Sequence, residues 1–527
     1  MKHHLSTLFI AMTIATPTLS MASMPDEKVV GMSLSELRVA LDSGALKSAD
    51  LVSAYLRRIE KLDRGPEGIR AVLAVSGTAM DHARAWDADQ AKNGANRRNA
   101  PLAGIPFLAK DNFDAVGLPN TGGSLALANS IPEKNSFVVQ RLIDQGAILI
   151  GKTNLSEMAA SYGWYGYSSV GGQTLNPFNP LRTADGSSSG SAAAVAAKFA
   201  PFALGTDTTA SIRAPASVTG TVGMRGTMGL VSRAGIIPMS LTADVAGAIT
   251  RSVEDQAIVL DAIQAIDAKD GATKWVSRPT KPFVTGLSDS TLAGKTIAVV
   301  DNFDGANPEV DAVKRNSVAS LAKAGAKIVH IRLPKAYETL QPSVLGPIGL
   351  AEFRPQFDAY LATLPAGQPR NLQEFMARLE AATNKGAHTI NPGRYKGFVE
   401  NLETLTTDSP EYIQLLSSVI PSLKRELEEL MVAGQYDALF FPTIGCTAPV
   451  VPEKSDPNFV CKAYAYAAAK ISSTTGFPEI TVNGGVASGR DPVGVSFLGK
   501  PGDDGKVLEV ASAFEREHRR SAGPMGE

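Results

Sequence analysis

Hydrophobic residues recur along this chain with two alternating spacings, one typical of helices and the other typical of strands. Residues 33–36 read S-L-S-E, a capping-box pattern that predicts the start of a helix. The apolar runs that predict strands are residues 69–75, 104–107, 147–150, 296–300 and 326–331, and helices are predicted through residues 51–59, 138–142 and 313–321. This alternation predicts an α/β fold, with a largely buried mixed central β-sheet sandwiched between α-helices.

The alternation fades between about residues 334 and 410, where the sequence becomes irregular and helical. This segment is either a lid or substrate-pocket insertion, or a set of helices that packs on the outside of the sheet. The sequence contains no internal repeat and no long linker. Residues 23–527 are therefore predicted to form a single domain.

The first 22 residues differ from the rest of the chain. A basic start at residues 1–4 (M-K-H-H) precedes a mostly apolar run at residues 5–17 and a small-residue motif at residues 20–22 (S-M-A). This pattern is typical of a secretory signal peptide and predicts cleavage near Ala22 and a periplasmic or secreted protein. A membrane anchor or a disordered tail is the alternative, but the apolar run is shorter than the roughly 20 residues that a spanning helix needs.

Composition and charge narrow the class of partner. Hydrophobic residues make up 44% of the chain and charged residues 20%, which favours a globular enzyme over a disordered chain or a membrane bundle. The formal net charge of -1 offers no basic field, so we expect a small-molecule or peptide-like substrate, with no nucleic acid and no membrane anchor. The histidines outside the leader are scattered and no H-E-x-x-H motif occurs, so neither a metal nor another cofactor is predicted.

The chain has two cysteines, Cys446 and Cys461. In an oxidising compartment, an even pair this close in sequence is a candidate disulfide. Two buried free thiols are the alternative, because a large enzyme with a good core does not need the cross-link.

Two short motifs match known chemistry but stand in the wrong context. Residues 146–153 (G-A-I-L-I-G-K-T) fit the Walker A pattern, yet the residues between the glycines are apolar and favour a strand over a phosphate-binding loop. Residues 320–323 (S-L-A-K) have the S-x-x-K spacing of penicillin-recognising enzymes, but they belong to a predicted amphipathic helix.

A Gly/Ser-rich loop at residues 185–191 (D-G-S-S-S-G-S) leads directly into a helix-forming run at residues 192–197. Backbone N–H groups at such a helix N-terminus can stabilise negative charge. Together with residues 205–213 (G-T-D-T-T-A-S-I-R), the loop resembles the signature of the amidase signature family, usually G-G-S-S-G-G-S and then G-T-D-x-G-G-S-I-R. Further segments that resemble family motifs are residues 104–111, 151–157, 176–180, 437–443 and 475–478.

This resemblance implies the amidase signature fold and an amidase that hydrolyses a carboxylic amide through an acyl-enzyme. Carried over residue by residue, it makes Ser211 the nucleophile, Ser187 a bridging serine on a cis peptide, and Lys110 the general base. The backbone N–H groups that would form the oxyanion hole are those of Thr208, Thr209, Ala210 and Ser211. The residues that would support the loop are Ser188, Asp207 and Arg213.

The implied triad makes chemical sense. A serine hydroxyl is a weak nucleophile until a nearby group takes its proton, and a lysine can do so only if its pKa falls well below about 10.4. Burial of Lys110 would lower that pKa. The Ser187 hydroxyl is both donor and acceptor, so it can relay the proton to the lysine and later back to the leaving nitrogen.

The sequence departs from the family pattern at Thr209 and Ala210, where Gly-Gly is usual. Glycine is often needed for a positive φ or for the close approach of a ligand, so these residues affect the pocket beside the scissile carbonyl. Two alternatives to an amidase are an amidotransferase subunit, which a leader disfavours, and a non-catalytic binding protein, which an intact triad disfavours. A monomer or homodimer is expected.

Overall fold

The computed structural model of the protein describes residues 24–93, 100–383, 388–403, 406–462 and 464–522. The predicted signal peptide, residues 1–22, lies outside the described residues. The helices are α1 Asp26–Gly31, α2 Leu34–Asp42, α3 Ser48–Asp63, α4 Ala79–Asn93, α5 Phe137–Asp144, α6 Ser189–Ala196, α7 Arg213–Val218, α8 Val253–Ile263, α9 Pro308–Lys323, α10 Gly346–Ala362, α11 Leu372–Thr383, α12 Pro392–Glu403, α13 Pro410–Gln414, α14 Ile420–Ala433, α15 Lys470–Thr475 and α16 Asp504–Ala522. The strands are β1 Val72–Val75, β2 Pro106–Lys110, β3 Ile148–Thr153, β4 Tyr167–Ser168, β5 Gly172–Gln173, β6 Phe202–Asp207, β7 Val222–Arg225, β8 Val245–Thr250, β9 Thr296–Val300, β10 Lys327–Ile331, β11 Ala438–Pro442, β12 Glu479–Ala487 and β13 Asp491–Leu498.

Within the described residues, eleven strands form one central sheet in the order β1-β3-β2-β6-β8-β7-β12-β13-β11-β9-β10. Strand β2 is parallel to β3 and β6, strand β9 is parallel to β10 and β11, and the remaining neighbours are antiparallel. Helices α8 and α16 are among those that pack on the sheet. The mixed sheet flanked by helices confirms the predicted fold class.

Local signals agree with the structure at several element ends. The predicted capping box forms, with the Ser33 side chain accepting a hydrogen bond from the Glu36 N–H and the Glu36 side chain accepting one from the Ser33 N–H. Strand β9 has the predicted bounds, whereas β2 starts and ends later than the predicted residues 104–107. The β2 strand continues through Lys110, whose side chain is fully buried. A buried lysine has no signature in the hydrophobic pattern.

The two misleading motifs have ordinary structural roles. The Walker-like residues 148–153 form strand β3, which lies in the sheet and has no loop between the two glycines. Ser320 lies on α9, where its hydroxyl donates to the Asn316 carbonyl one turn earlier. No helix in the described part of the chain is long and apolar enough to cross a membrane.

The segment at residues 334–410 contains helices α10, α11 and α12, which share a small aromatic core. The ring centroids of Phe353 and Phe357 are 5.2 Å apart, and those of Phe375 and Phe398 are 5.4 Å apart. Such ring pairs stabilise a cluster beyond the area that they bury. These helices therefore share a hydrophobic core that is separate from the main one.

Candidate active site

The sheet and two loops bring Lys110, Ser187 and Ser211 together. Lys110 is the last residue of β2, Ser187 lies just before α6, and Ser211 lies between β6 and α7. The peptide bond between Gly186 and Ser187 is cis. The Ser188 N–H donates to the Ser211 carbonyl at 3.1 Å, so the two serine loops lie side by side.

Lys110 is fully buried, and its ammonium group points at hydroxyl oxygens. Its Nζ lies 2.8 Å from Ser187 Oγ and 2.8 Å from Thr206 Oγ1. It makes no ion pair with any described residue. Burial lowers the pKa of Lys110 to about 7, against the opposing charges of Asp207 and Asp244. This lysine can therefore exist as a neutral amine near neutral pH.

Thr206 is a site residue that sequence reasoning missed. Its Oγ1 accepts hydrogen bonds from Lys110 Nζ and, at 3.1 Å, from Asn112 Nδ2. The parallel pairing of β2 with β6 brings Thr206 to Lys110. The only signal for it was its position beside Asp207 in the G-T-D motif.

Asp207 and Arg213, two of the predicted supporting residues, form the centre of a buried ionic network. Asp207 Oδ2 lies 2.9 Å from Arg213 Nε, and Arg213 Nη1 lies 2.7 Å from Glu479 Oε2. Arg225 pairs with Asp207 Oδ1 at 3.3 Å. Burial alone would raise the pKa of Asp207, but the two guanidinium groups outweigh it and hold that pKa below its usual value. The network keeps the turn after β6 charged, buried and fixed.

Ser188, the third predicted supporting residue, joins the serine loop to β6. Its Oγ donates to the Thr206 carbonyl at 3.1 Å and accepts from the Thr206 N–H at 3.3 Å. This reciprocal pair holds the Ser187 loop against the strand that leads to Ser211.

The structure corrects the prediction for Ala210 in the oxyanion hole. The Ala210 N–H donates to Asp207 Oδ1 at 3.0 Å, so it is not free to contact a substrate oxygen. The N–H groups of Thr208, Thr209 and Ser211 have no acceptor among the described residues. The candidate oxyanion donors therefore reduce to these three.

Ala210 has φ 140°, a backbone conformation that favours glycine. The family has glycine at this position, and this chain keeps the glycine conformation while adding a Cβ. Asp185, at φ 57°, likewise replaces a usual glycine in the serine loop. Both departures lie in the loops that carry the catalytic candidates.

Residues 466–470 contribute two hydrogen-bond donors to the site, Tyr466 and Lys470, and sequence analysis predicted neither. Tyr466 OH donates to Asp185 Oδ2 at 2.8 Å, and Lys470 Nζ donates to the Thr209 carbonyl at 2.5 Å. Burial raises the pKa of Asp185 to about 6, despite the hydrogen bonds that it accepts from Tyr466 and Gly186. Local sequence gave no signal for these contacts beyond the nearby T-G-F-P motif.

Cys446 and Cys461 form a disulfide, which decides between the two interpretations of the cysteine pair. The bond closes a loop that ends a few residues before Tyr464 and Tyr466. The Gly445 N–H also donates to the Ala465 carbonyl at 2.8 Å. The disulfide thus anchors the segment that contacts both serine loops.

Ser211 opens onto a cavity of about 450 Å³. One wall, here called the serine wall, consists of residues 185–186 and 208–211 together with Tyr466 and Lys470. The opposite wall, here called the helical wall, consists of residues from α10 and α12. A cavity of this size accommodates a small organic ligand or a short peptide.

Arg394 is the positively charged residue of the helical wall, which also includes Glu400. Its guanidinium carbon lies 4.0 Å from the centroid of the Phe398 ring and 4.7 Å from that of Phe353. The side chain is almost fully buried, makes no ion pair with any described residue, and leaves Nε without a hydrogen-bond partner. Burial lowers the pKa of Arg394, but an arginine stays charged in proteins. The cavity therefore contains a fixed positive charge.

Comparison with known proteins agrees with this geometry. Residues 50–508 match the protein family described as Amidase. The peptide amidase of Stenotrophomonas maltophilia is 35% identical in sequence and superposes with a TM-score of 0.83, over 93% of this chain and 97% of that one. An amidase family protein from Bacillus anthracis is 30% identical, with a TM-score of 0.80 over 93% and 92% of the two chains.

Among curated relatives, a glutamyl-tRNA(Gln) amidotransferase subunit of Thermoanaerobacter pseudethanolicus is 30% identical over 520 residues, which cover 94% of this chain and 99% of the relative. The chain belongs to the amidase family, and its fold is the one seen in the peptide amidase.

Proposed function

We propose that the protein hydrolyses a carboxylic amide through an acyl-enzyme on Ser211, with Ser187 as proton relay and Lys110 as general base and then general acid. The observation that carries this proposal is the buried, unpaired Lys110 ammonium group, 2.8 Å from Ser187 Oγ. Its pKa of about 7 suits a group that must both accept and return a proton near neutrality.

In the first step, the neutral Lys110 amine takes the Ser187 hydroxyl proton while Ser187 Oγ takes the proton of Ser211. Ser211 Oγ attacks the amide carbonyl, and the resulting oxyanion accepts hydrogen bonds from the free N–H groups of Thr208, Thr209 and Ser211. The Lys110 ammonium then returns a proton through Ser187 to the leaving nitrogen, and the C–N bond breaks. Water hydrolyses the Ser211 ester by the same relay, releasing the acid.

The cavity supports a substrate larger than a simple amide. Its volume suits an extended acyl group, and the Arg394 guanidinium, which makes no direct ion pair with any described residue, would bind carbonyl or carboxylate oxygens along that group. The similarity to a peptide amidase points the same way. A C-terminally amidated peptide, which would release ammonia, is therefore our first candidate substrate.

An amidotransferase-type subunit is the second candidate, because the curated relatives include subunits of that kind. Such a subunit needs partner chains for its complete reaction. Hydrolysis of amidated peptides by the isolated protein, with no effect of added glutamine, would favour the first candidate. Ammonia release from glutamine alone would favour the second.

The proposal also includes export of the protein from the cytoplasm. The three-part leader pattern and the disulfide both fit an oxidising compartment, so we propose a periplasmic or secreted enzyme cut near Ala22. Intact-mass measurement of exported protein should give a chain that starts after residue 22. A cytoplasmic protein that retains Met1 or Lys2 would contradict export.

The test of the activity is a substrate panel on the purified protein. The panel contains C-terminally amidated di- and tripeptides, acyl-p-nitroanilides and free glutamine, with ammonia or p-nitroaniline as the product measured. A fluorophosphonate probe is applied in parallel, and peptide mapping locates the modified residue. Turnover and labelling at Ser211 are expected. No turnover together with no labelling of Ser211 would overturn the proposal.

A further inference from the structure

The peptide unit between Thr209 and Ala210 is held at both ends. The Ala210 N–H donates to Asp207 Oδ1 at 3.0 Å, and the Thr209 carbonyl accepts from Lys470 Nζ at 2.5 Å. The N–H groups on either side of this unit, those of Thr209 and Ser211, are candidate oxyanion donors. The orientation of this peptide plane therefore sets the direction in which the N–H groups of Thr209 and Ser211 point.

This turn needs external support because of Ala210. Its φ of 140° suits glycine and strains a residue with a Cβ, typically by about 1–3 kcal/mol for such rare conformations. Strain of this kind persists only where surrounding contacts determine the conformation. Asp207 supplies one such contact from the same turn, and Lys470 supplies the other from a distant element.

Lys470 is the first residue of α15 and is buried. The Tyr466 ring centroid lies 5.6 Å from its Nζ, and Tyr466 in turn donates to Asp185 beside the Ser187 loop. Lys470 makes no ion pair with any described residue, so its hydrogen bond to the Thr209 carbonyl is its main polar contact. An ammonium group makes a stronger hydrogen bond to a carbonyl than a neutral amine does.

We propose that Lys470 is a positioning residue that fixes the turn carrying Ser211, through the hydrogen bond from its ammonium group to the Thr209 carbonyl. This inference rests on the proposed function, because it assigns the turn to the oxyanion hole. Lys470 is not required to touch the substrate. Its effect reaches the reaction through the N–H groups of Thr209 and Ser211.

The proposal requires opposite protonation states of the two buried lysines. Lys110 acts as a neutral amine, whereas Lys470 acts as an ammonium ion. Burial and the nearby Arg213 lower the pKa of Lys470 to about 7, against the charges of Asp207 and Asp185. Because both pKa values lie near 7, the rate should rise with pH as Lys110 loses its proton and fall above about pH 7 as Lys470 loses its own.

The experiment compares wild type with Lys470→Met and Lys470→Arg. The readout is the second-order rate of Ser211 labelling by a fluorophosphonate between pH 5.5 and pH 9.5, with kcat and KM for any amide that the panel identifies. Removing one oxyanion donor typically costs about 10²–10³-fold, so a misoriented turn in Lys470→Met should cost about 10–100-fold in labelling rate and kcat, with KM little changed. In both variants the fall in rate at alkaline pH should disappear, because the titrating group is gone.

Lys424→Met is the matched control, because Lys424 is a half-buried lysine on α14 that does not contact the turn. It should keep the rate and the pH profile of wild type. Ala210→Gly supplies a second test, since glycine adopts the turn conformation without strain. In the Ala210→Gly background, Lys470→Met should lower the rate of Ser211 labelling by less than about threefold. Such non-additivity of the two substitutions would show that they are coupled through the turn.

The possible outcomes are distinct. Wild type that is not labelled at Ser211 contradicts the proposed function itself. Normal labelling of wild type, with an unchanged rate and profile in Lys470→Met, overturns only the role of Lys470. A slower Lys470→Met that keeps the alkaline fall also overturns it, because the loss is then merely structural. If Lys470→Met fails to fold, a wild-type profile with no alkaline fall up to pH 9.5 overturns the inference.

Discussion

Each of the two walls of the cavity is backed by or contains a buried cation without a carboxylate partner, Lys110 behind the serine wall and Arg394 in the helical wall, and these two cations differ in what they can do. Behind the serine wall, where Lys110 Nζ lies 2.8 Å from Ser187 Oγ, burial lowers the pKa of Lys110 to about 7, so this side chain can exchange a proton near neutrality. On the helical wall, Arg394 keeps its charge at any working pH. One wall is therefore suited to proton transfer and the other to binding a fixed polar group.

The walls also differ in how they are built. The serine wall is a network of side-chain hydrogen bonds and ion pairs around Asp207, with partners contributed by β6, α7 and β12. The helical wall is an aromatic cluster, and the Arg394 guanidinium lies over the rings of Phe353 and Phe398. Polar networks specify geometry closely, whereas aromatic clusters tolerate exchange of one apolar residue for another. We expect reaction chemistry to depend on the first wall and substrate choice on the second.

The largest expected effect is on the serine wall. Ser211→Ala should lower kcat/KM for amides and esters alike by about 10⁴-fold or more, because no acyl-enzyme can form. Ser189→Ala is the matched control, since Ser189 is a buried serine at the start of α6 whose Oγ has no hydrogen-bond partner among the described residues. Its kcat/KM should stay within about threefold of wild type. Residual amide turnover in Ser211→Ala above a tenth of wild type would exclude this nucleophile.

The second effect concerns the disulfide that anchors the segment carrying Tyr466. Replacing both Cys446 and Cys461 with serine should lower the free energy of unfolding by about 3 kcal/mol, the chain-entropy value for a loop of about fifteen residues. The measurement is the urea midpoint of wild type with and without a reductant, followed by activity. The double variant should not respond to the reductant. Equal midpoints for reduced and oxidised wild type would contradict this role of the disulfide.

The third effect tests the helical wall. Arg394→Met keeps a side chain that reaches about as far as Nε and removes the charge, so KM for an amidated peptide should rise by about tenfold with kcat changed less than about threefold. Arg354→Met, on the exposed part of α10, is the control and should leave both constants unchanged. A fall in kcat at constant KM would instead assign Arg394 to the chemical step, and the division between the walls would be wrong.

The smallest expected effect is a change in stability and concerns Ala210 in the serine wall. Ala210→Gly should raise the free energy of unfolding by about 1 kcal/mol, because glycine adopts φ 140° without strain. Ala193→Gly, within α6, should lower it by about the same amount, because glycine is a poor helix former. Urea midpoints of the two variants measure both changes. Destabilisation by Ala210→Gly would show that the turn is not strained.

The serine wall was largely predictable because its residues lie in short motifs. Lys110, Ser187 and Ser211 could be assigned from the resemblance of local segments, and the structure brings Lys110 and Ser187 into direct contact. The fold class followed from hydrophobic spacing alone, as in strand β9. Local sequence could not predict which residues far apart in the chain contact each other.

Lys470 shows that limit clearly. It contacts the Thr209 carbonyl across 261 positions of sequence, and nothing in its neighbourhood distinguishes it from a surface lysine. The Ala210 N–H was predicted to be free because its bond to Asp207 depends on the folded turn. The helical wall was only a region of faded periodicity, since its helices pack on each other rather than alternating with strands.

The central claim is that Lys110 both accepts the Ser211 proton and returns it to the leaving group through Ser187. The most direct test is kcat/KM for an amide and an ester that share one acyl group, in wild type, Lys110→Ala and the more nearly isosteric Lys110→Met, with urea midpoints to monitor folding. An amine leaves poorly without a proton, whereas an alkoxide or phenoxide needs less help. The proposed relay predicts that both variants lose about a hundredfold more activity on the amide than on the ester, a size typical of general acid catalysis. Equal losses on the two substrates would contradict it.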